Sequence, residues 1–257
     1  MKIHKTAIIH PKAQLAKNVS VGPFSVVEEH VSIGEGTEIG QSCRIEGHTT
    51  LGKNCKIFTG SVIGSPPQDL KYKGDKSFVI IGDNNIIREY NTVNPGTEEG
   101  GRTVIGDGNL LMAYTHVAHD CRIGNNCIIA NVGTLAGYVT IEDYAVVGGI
   151  VAIHQFCRVG KLSIIGGCSK VVQDIPPYST CDGHPTKVFG LNLVGLRRAK
   201  VSREVIRNLK EAFKLLFNSG LTISHAVEKI NKEIPKGDEL NYLVEFVTSS
   251  KRGICRR

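Results

Sequence analysis

The sequence predicts a mainly β solenoid, a parallel β-helix over residues 1–185, followed by a small α-helical C-terminal domain over residues 186–257. Three observations predict it. From Ile105 every sixth residue is aliphatic (Ile105, Leu111, Val117, Ile123, Ile129, Leu135, Ile141, Val147, Ile153, Val159, Ile165, Val171), and at 41% hydrophobic composition twelve consecutive hits have a chance probability of about 2 × 10⁻⁵. Only 6% of residues are aromatic, Trp is absent and Gly numbers 29, so the core must be aliphatic and the corners tight. After Asp174-Ile-Pro-Pro-Tyr178 the period stops and helical signals take over.

A strict period of six suits neither a helix nor a half-buried strand that turns into a hairpin. If three hexads make one triangular coil, residues 18 apart stack on coils separated by ~4.8 Å, and each aliphatic points into a continuous column. The period already runs from the N-terminus through Ile3, Ile9, Leu15, Val21, Val27, Ile33, Ile39, Ile45, Leu51, Ile57 and Ile63. Two inserted loops interrupt it, one near residues 68–79 and one near residues 98–103, with a brief resumption at Ile81, Ile87 and Val93 between them. In all, 26 hexads are occupied, and in eleven of them Gly follows the aliphatic residue directly, which supplies backbone freedom where a Cβ would obstruct a sharp corner. Beyond the solenoid, Ser202 can cap a helix carrying Val205, Ile206, Leu209, Phe213, Leu216 and Phe217 and stopped by Gly220. Thr222 to Ile234 and Asp238 to Thr248 read as two more helices.

Composition bounds the function. No apolar run follows Met1-Lys-Ile-His, and no stretch approaches the ~18 apolar residues of a membrane span, so a cytoplasmic protein is expected. The eight Cys form no CxxC, and five of them (Cys43, Cys55, Cys121, Cys127, Cys157) occupy a slot otherwise filled by small residues, which makes them core packing. Net charge is +7, yet residues 187–257 hold 15 Lys and Arg against 7 Asp and Glu, so the whole excess belongs to the C-terminal part. A basic face of this kind suits nucleic acid, a phosphate-bearing substrate or an acidic protein.

The chemistry-bearing candidates are His116, His119, Asp120 and His154, all within hexads. A lone His on a β-helix corner is usually only solvated. His119 beside Asp120, however, can form a base and its orienter, with Asp120 or another acceptor fixing the tautomer so that the free nitrogen faces a substrate hydroxyl. That chemistry requires no Ser or Cys nucleophile.

The hexads resemble the left-handed β-helix of the hexapeptide-repeat acyltransferases, and the hand follows from that resemblance alone, since a period of six does not determine it. The segments His116-Val-Ala-His-Asp-Cys121, Leu135-Ala-Gly-Tyr-Val-Thr140, Ile153-His-Gln-Phe156, Gly166-Gly-Cys-Ser169, Gln173-Asp-Ile-Pro-Pro-Tyr178 and Gly190 to Glu204 closely resemble the UDP-N-acetylglucosamine acyltransferase family over essentially the whole chain. The resemblance implies transfer of a 3-hydroxyacyl group from acyl carrier protein to the 3-hydroxyl of UDP-N-acetylglucosamine, the opening step of lipid A biosynthesis, by a homotrimer without cofactor, metal, membrane span or nucleic acid. By the same resemblance His119 is the general base, Asp120 its orienter and Gly137 the oxyanion donor through its backbone N–H. Gln68, Asp69 and Lys71 then belong to a loop reaching the sugar and the phosphopantetheine arm. His116, Tyr138, His154 and Gln155 line the cleft, Gly167 ends the acyl groove, and Asn192 and Arg198 handle the nucleotide and its diphosphate. The acidic carrier protein gives the basic C-terminal face a partner.

Three features depart from the family pattern: Tyr138 stands where many members have His, Asn94-Pro95 replaces a His-Arg pair found in some, and Gly183-His-Pro185 varies near the nucleotide. They leave a UDP-sugar with a 3-amino group as an alternative acceptor. A γ-type carbonic anhydrase shares the fold, but its ligand spacing is a lone His followed later by HxxxxH, whereas this chain has HxxH. A purely structural β-helix would leave the first loop, the His-Asp pair and Arg198 without a purpose.

Overall fold

The computed structural model describes residues 1–256. It is a left-handed parallel β-helix closed at its C-terminal end by a hairpin and four helices. Each of the 26 predicted hexads forms a short strand ending at its aliphatic residue, from Lys2–Ile3 to Lys170–Val171. The strands fall on three sheets: face 1 contains Leu111, Ile129, Val147 and Ile165; face 2 contains Val117, Leu135, Ile153 and Val171; face 3 contains Ile105, Ile123, Ile141 and Val159. The chain passes from face 1 to 2 to 3 and back, so every residue in a corner belongs to edge 1–2, edge 2–3 or edge 3–1. The aliphatic columns are buried from Val21 onward, whereas Ile3 at the open end is 39% exposed.

Register exposes the insertions. Partners lie 18 apart in regular coils, as in Lys2 opposite Ser20, but 30 apart at Ile57 and Ile87 and 24 apart at Ile81 and Ile105. The inserted lengths are therefore 12 and 6 residues, both whole multiples of the period. Because of this the column keeps its phase across each loop. The first strand to re-form is Phe78–Ile81 with Val79 buried, and the second is Arg102–Ile105 with Thr103 buried, so both loops end slightly earlier than their sequence limits.

Corner chemistry differs from the sequence expectation. The third residue after the column position adopts a left-handed conformation on coil after coil and is mostly not Gly: Asn18, Asn84, Asp120, Asn126, Tyr138 and Ile150 all have φ between 55° and 60°. Most glycines that follow the column residue need no positive φ. A Cβ on Gly22 would stand 2.5 Å from the carbonyl oxygen of Gly40 on the next coil, so close approach between coils, not conformational freedom, demands glycine there.

The solenoid also continues past the expected stop. Ile175 bridges Val159, and the strand Ser179–Gly183 pairs in parallel with Ile164–Ile165 before turning into an antiparallel partner, Thr186–Leu191. The prolines at 176 and 177 precede that rung instead of preventing it. A short helix α1 (Leu193–Arg198) follows, and then the three expected helices α2 (Arg203–Asn218), α3 (Ile223–Glu233) and α4 (Asp238–Thr248), the first two capped by the side chains of Ser202 and Thr222. Cys181 and Cys255, both buried, bring the last rung and the C-terminal tail together.

Candidate active site

Both insertions leave the solenoid on edge 2–3, after Ile63 and after Val93, on consecutive coils. On the next coil the same edge holds the corner Ala118-His-Asp-Cys121. The two loops are tied to each other: Asn94 Nδ2 donates to the carbonyls of Ser65 at 3.0 Å and Pro66 at 3.3 Å, and the Gly100 N–H donates to Lys76 O at 2.8 Å. They roof the corner beneath them. The side chains of His119 and Asp120 are accordingly only 14% and 12% exposed.

Asp120 occupies one of the left-handed corners at φ 58°, a conformation that Asp tolerates well. Its Oδ2 accepts from the Thr97 N–H at 3.1 Å and the Thr97 hydroxyl at 2.9 Å, and lies 3.1 Å from His119 Nδ1. An ionised carboxylate only accepts, so the proton on that contact sits on Nδ1 and the lone pair of the neutral ring is at Nε2. Asp69, carried in by the first loop, places Oδ2 3.8 Å from Nε2, beyond hydrogen-bonding distance.

One coil further on, Gly137 occupies the corner position of His119. A Cβ there would fall 2.5 Å from His119 Nε2, so the ring fits only above a glycine. Among the described residues no acceptor takes the Gly137 N–H. Tyr138 meets His119 edge to face with ring centroids 5.3 Å apart and stacks on Phe156 at 4.9 Å, forming an aromatic wall. His116 Nδ1 pairs with Thr92 Oγ1 at 2.7 Å, and burial, assisted by the nearby His119, lowers its pKa, so it sits neutral beside the site. Cys121 is buried and its thiol is pushed up to about 12 by burial, which disqualifies it as a nucleophile.

The remaining sequence candidates do not all converge. His154 and Gln155 are exposed on the same edge one coil beyond Gly137, and Gln68 and Lys71 are exposed on the first loop. Gly167 lies on edge 1–2, where a Cβ would meet the Gly149 backbone, its O at 3.3 Å and its N at 3.9 Å. Asn192 caps α1, accepting from the Gly195 N–H at 2.9 Å, while its Nδ2 donates to Leu162 O at 2.9 Å. Its carboxamide is thus engaged at both ends. Arg198, in the last turn of α1, lines a cleft of about 1050 Å³ with Tyr144, Leu162 and Lys200 on edge 3–1. Within one chain, then, the candidates occupy three different edges. Thr97 escaped sequence reading because it carries no motif; its signal is its position just ahead of the second interruption.

Fold and site together define the class, a hexapeptide-repeat acyltransferase. The family described as "Bacterial transferase hexapeptide (six repeats)" matches residues 102–133, and the one described as "Udp N-acetylglucosamine O-acyltransferase; Domain 2" matches residues 174–255. The acyl-(acyl-carrier-protein)–UDP-N-acetylglucosamine O-acyltransferase of Thermodesulfovibrio yellowstonii is 51% identical over 99% of both chains. The solved LpxA structure from Acinetobacter baumannii superposes with a TM-score of 0.94 at 42% identity over 100% of both chains. The Francisella novicida UDP-N-acetylglucosamine acyltransferase gives 0.94 at 40% identity, covering 99% of this chain and 94% of that one. The chain belongs to the UDP-N-acetylglucosamine O-acyltransferase family.

Proposed function

We propose that the chain is an acyltransferase that moves a 3-hydroxyacyl group from acyl carrier protein to the 3-hydroxyl of UDP-N-acetylglucosamine, the first step of lipid A biosynthesis. The observation that carries the mechanism is the His119 ring lodged over Gly137 with Nδ1 held by Asp120. Nε2 takes the proton of the sugar hydroxyl as its oxygen attacks the thioester carbonyl. The oxyanion that develops is met by the unpartnered Gly137 N–H, and the tetrahedral intermediate collapses by expelling the phosphopantetheine thiolate, which takes the proton back from the imidazolium. No acyl-enzyme forms. Asp120 holds the tautomer before the proton arrives and stabilises the imidazolium afterwards.

Asp69, with Gln68 and Lys71 on the same loop, is placed to engage the sugar and the donor arm. His116, Tyr138, His154 and Gln155 line the surface around the base. Arg198 takes the diphosphate, with Asn192 setting the orientation of α1 beneath it. The position of Arg198 on edge 3–1 and of His119 on edge 2–3 supports a homotrimer in which neighbouring chains complete each site. The exposed corner column on edge 1–2 supports it too: Tyr114, Val132 and Ile150 are 58%, 44% and 63% exposed, and two of them are β-branched residues at positive φ. The basic C-terminal part suits the acidic carrier protein, so its KM should rise with salt. No helix among the described residues is long and apolar enough to cross a membrane, and we place the enzyme in the cytoplasm, where its donor is made.

The test is an assay offering UDP-N-acetylglucosamine and its 3-amino analogue against a series of hydroxyacyl carrier proteins, read by product mass. Ester formation on UDP-N-acetylglucosamine is expected; amide formation alone, or no product from either sugar, would overturn the assignment.

A further inference from the structure

Thr97 stands outside every motif, yet it touches the catalytic pair more intimately than any other loop residue. Its backbone N–H and its hydroxyl both donate to Oδ2 of Asp120, at 3.1 and 2.9 Å, and its hydroxyl lies 3.2 Å from Tyr138 Oη. The backbone around it is shaped for that approach: a Cβ on Gly96 would fall 2.7 Å from Asp120 Oδ1, and one on Gly101 3.1 Å from the same atom. A threonine hydroxyl has a single proton. The shorter, charge-assisted contact to the carboxylate takes it, so Tyr138 must donate to Thr97. The chain of bonds therefore runs in one direction, from Tyr138 through Thr97 to Asp120, with His119 Nδ1 donating from the other side.

We infer that Thr97 is a positioning residue, which fixes the Asp120 carboxylate against His119 and couples Tyr138 to the base. This rests on the acyltransferase reading of the site. Two consequences follow from the direction of the bonds. Beyond the edge-to-face contact of the rings, the Tyr138 hydroxyl reaches the base only through Thr97, and its oxygen lone pairs, not its proton, face the cleft.

The test is a double-mutant cycle of Thr97→Val and Tyr138→Phe, with Thr97→Ser as the conservative control. Thr97→Val keeps shape and the backbone N–H but loses the hydroxyl. Its kcat should fall about tenfold with KM changed less than about twofold. Its acidic limb in kcat/KM should move to higher pH, because a carboxylate relieved of one donor attracts the imidazolium proton more strongly. Thr97→Ser should restore both. Tyr138→Phe should cost a few-fold in wild type and almost nothing in the Thr97→Val background. Equal cost in both backgrounds would show that Tyr138 acts on substrate directly, and a Thr97→Ser enzyme as slow as Thr97→Val would reduce Thr97 to packing; either result overturns the inference. NMR titration of the His119 imidazole in wild type and Thr97→Val reads the same contact without any substrate. A raised pKa in the variant supports the inference and an unmoved one refutes it, even if the wild type proves inactive on both sugars.

Discussion

Asp120 and Asn126 stand one hexad apart on neighbouring edges of the solenoid, at φ 58° and 55°, with the same backbone shape and opposite fates. Asn126 is an exposed corner held by a bond from its own N–H to Asp107 O on the coil before. Asp120 lies under two inserted loops, accepts two bonds from Thr97 and pairs with a largely buried imidazole. The repeat makes corners cheaply and identically; what turns one of them into a site is desolvation and added donors from segments that break the repeat. Insertions of 12 and 6 residues can do this without disturbing the column because they preserve its phase.

The comparison breaks first at His119. His119→Ala should lower kcat by about 10²- to 10⁴-fold while the melting temperature stays put, since the ring contributes nothing to the aliphatic column. Steady-state kinetics beside calorimetry check both halves, and near-full turnover would move the base elsewhere. Next comes Gly137→Ala, whose Cβ would displace the His119 ring: a loss of about 10²-fold is expected with unaltered folding. Gly167→Met sharpens the comparison on edge 1–2. We propose that Gly167 ends the acyl groove, as the resemblance implies; a thioether there would then project into it, and at ~0.8 kcal/mol per buried methylene, selectivity should swing by orders of magnitude toward shorter donors. Relative kcat/KM across a donor series decides it. An unchanged preference would mean that chain length is read elsewhere.

The smallest effect on chemistry belongs to the regular coils. Gly22→Ala puts a Cβ 2.5 Å from Gly40 O, a clash with backbone instead of a movable ring. Its melting temperature should drop by about 5 °C, with kcat within roughly twofold of wild type. If Gly22→Ala lost turnover without losing stability, the division between scaffold edges and the roofed edge would fail.

Much of this was legible in the sequence because the period of six is enforced by burial: each of the 26 aliphatic positions ends a strand. The hairpin at Ser179–Leu191 was not, because its first strand carries Cys181 instead of a branched aliphatic and follows two prolines. His119, Asp120, Gly137 and Tyr138 stood out in their motifs. Thr97 did not, because its role depends on which edge its loop leaves from, a property of coil stacking and not of neighbouring residues. The convergence of Asp69 and Thr97 on one corner follows from both insertions falling after face 2 strands. The glycine corners were only half readable: the need for a missing Cβ was visible, the crowding that causes it was not.

The roofed edge holds His119 with its proton on Nδ1, beside Asp120, and its lone pair on Nε2. ¹⁵N-edited NMR of the free enzyme, at a pH where the ring is neutral, measures that tautomer directly. The Nδ1–H form is expected in wild type and a mixture of tautomers in Asp120→Ala; an Nε2–H tautomer in wild type would contradict the role of Asp120.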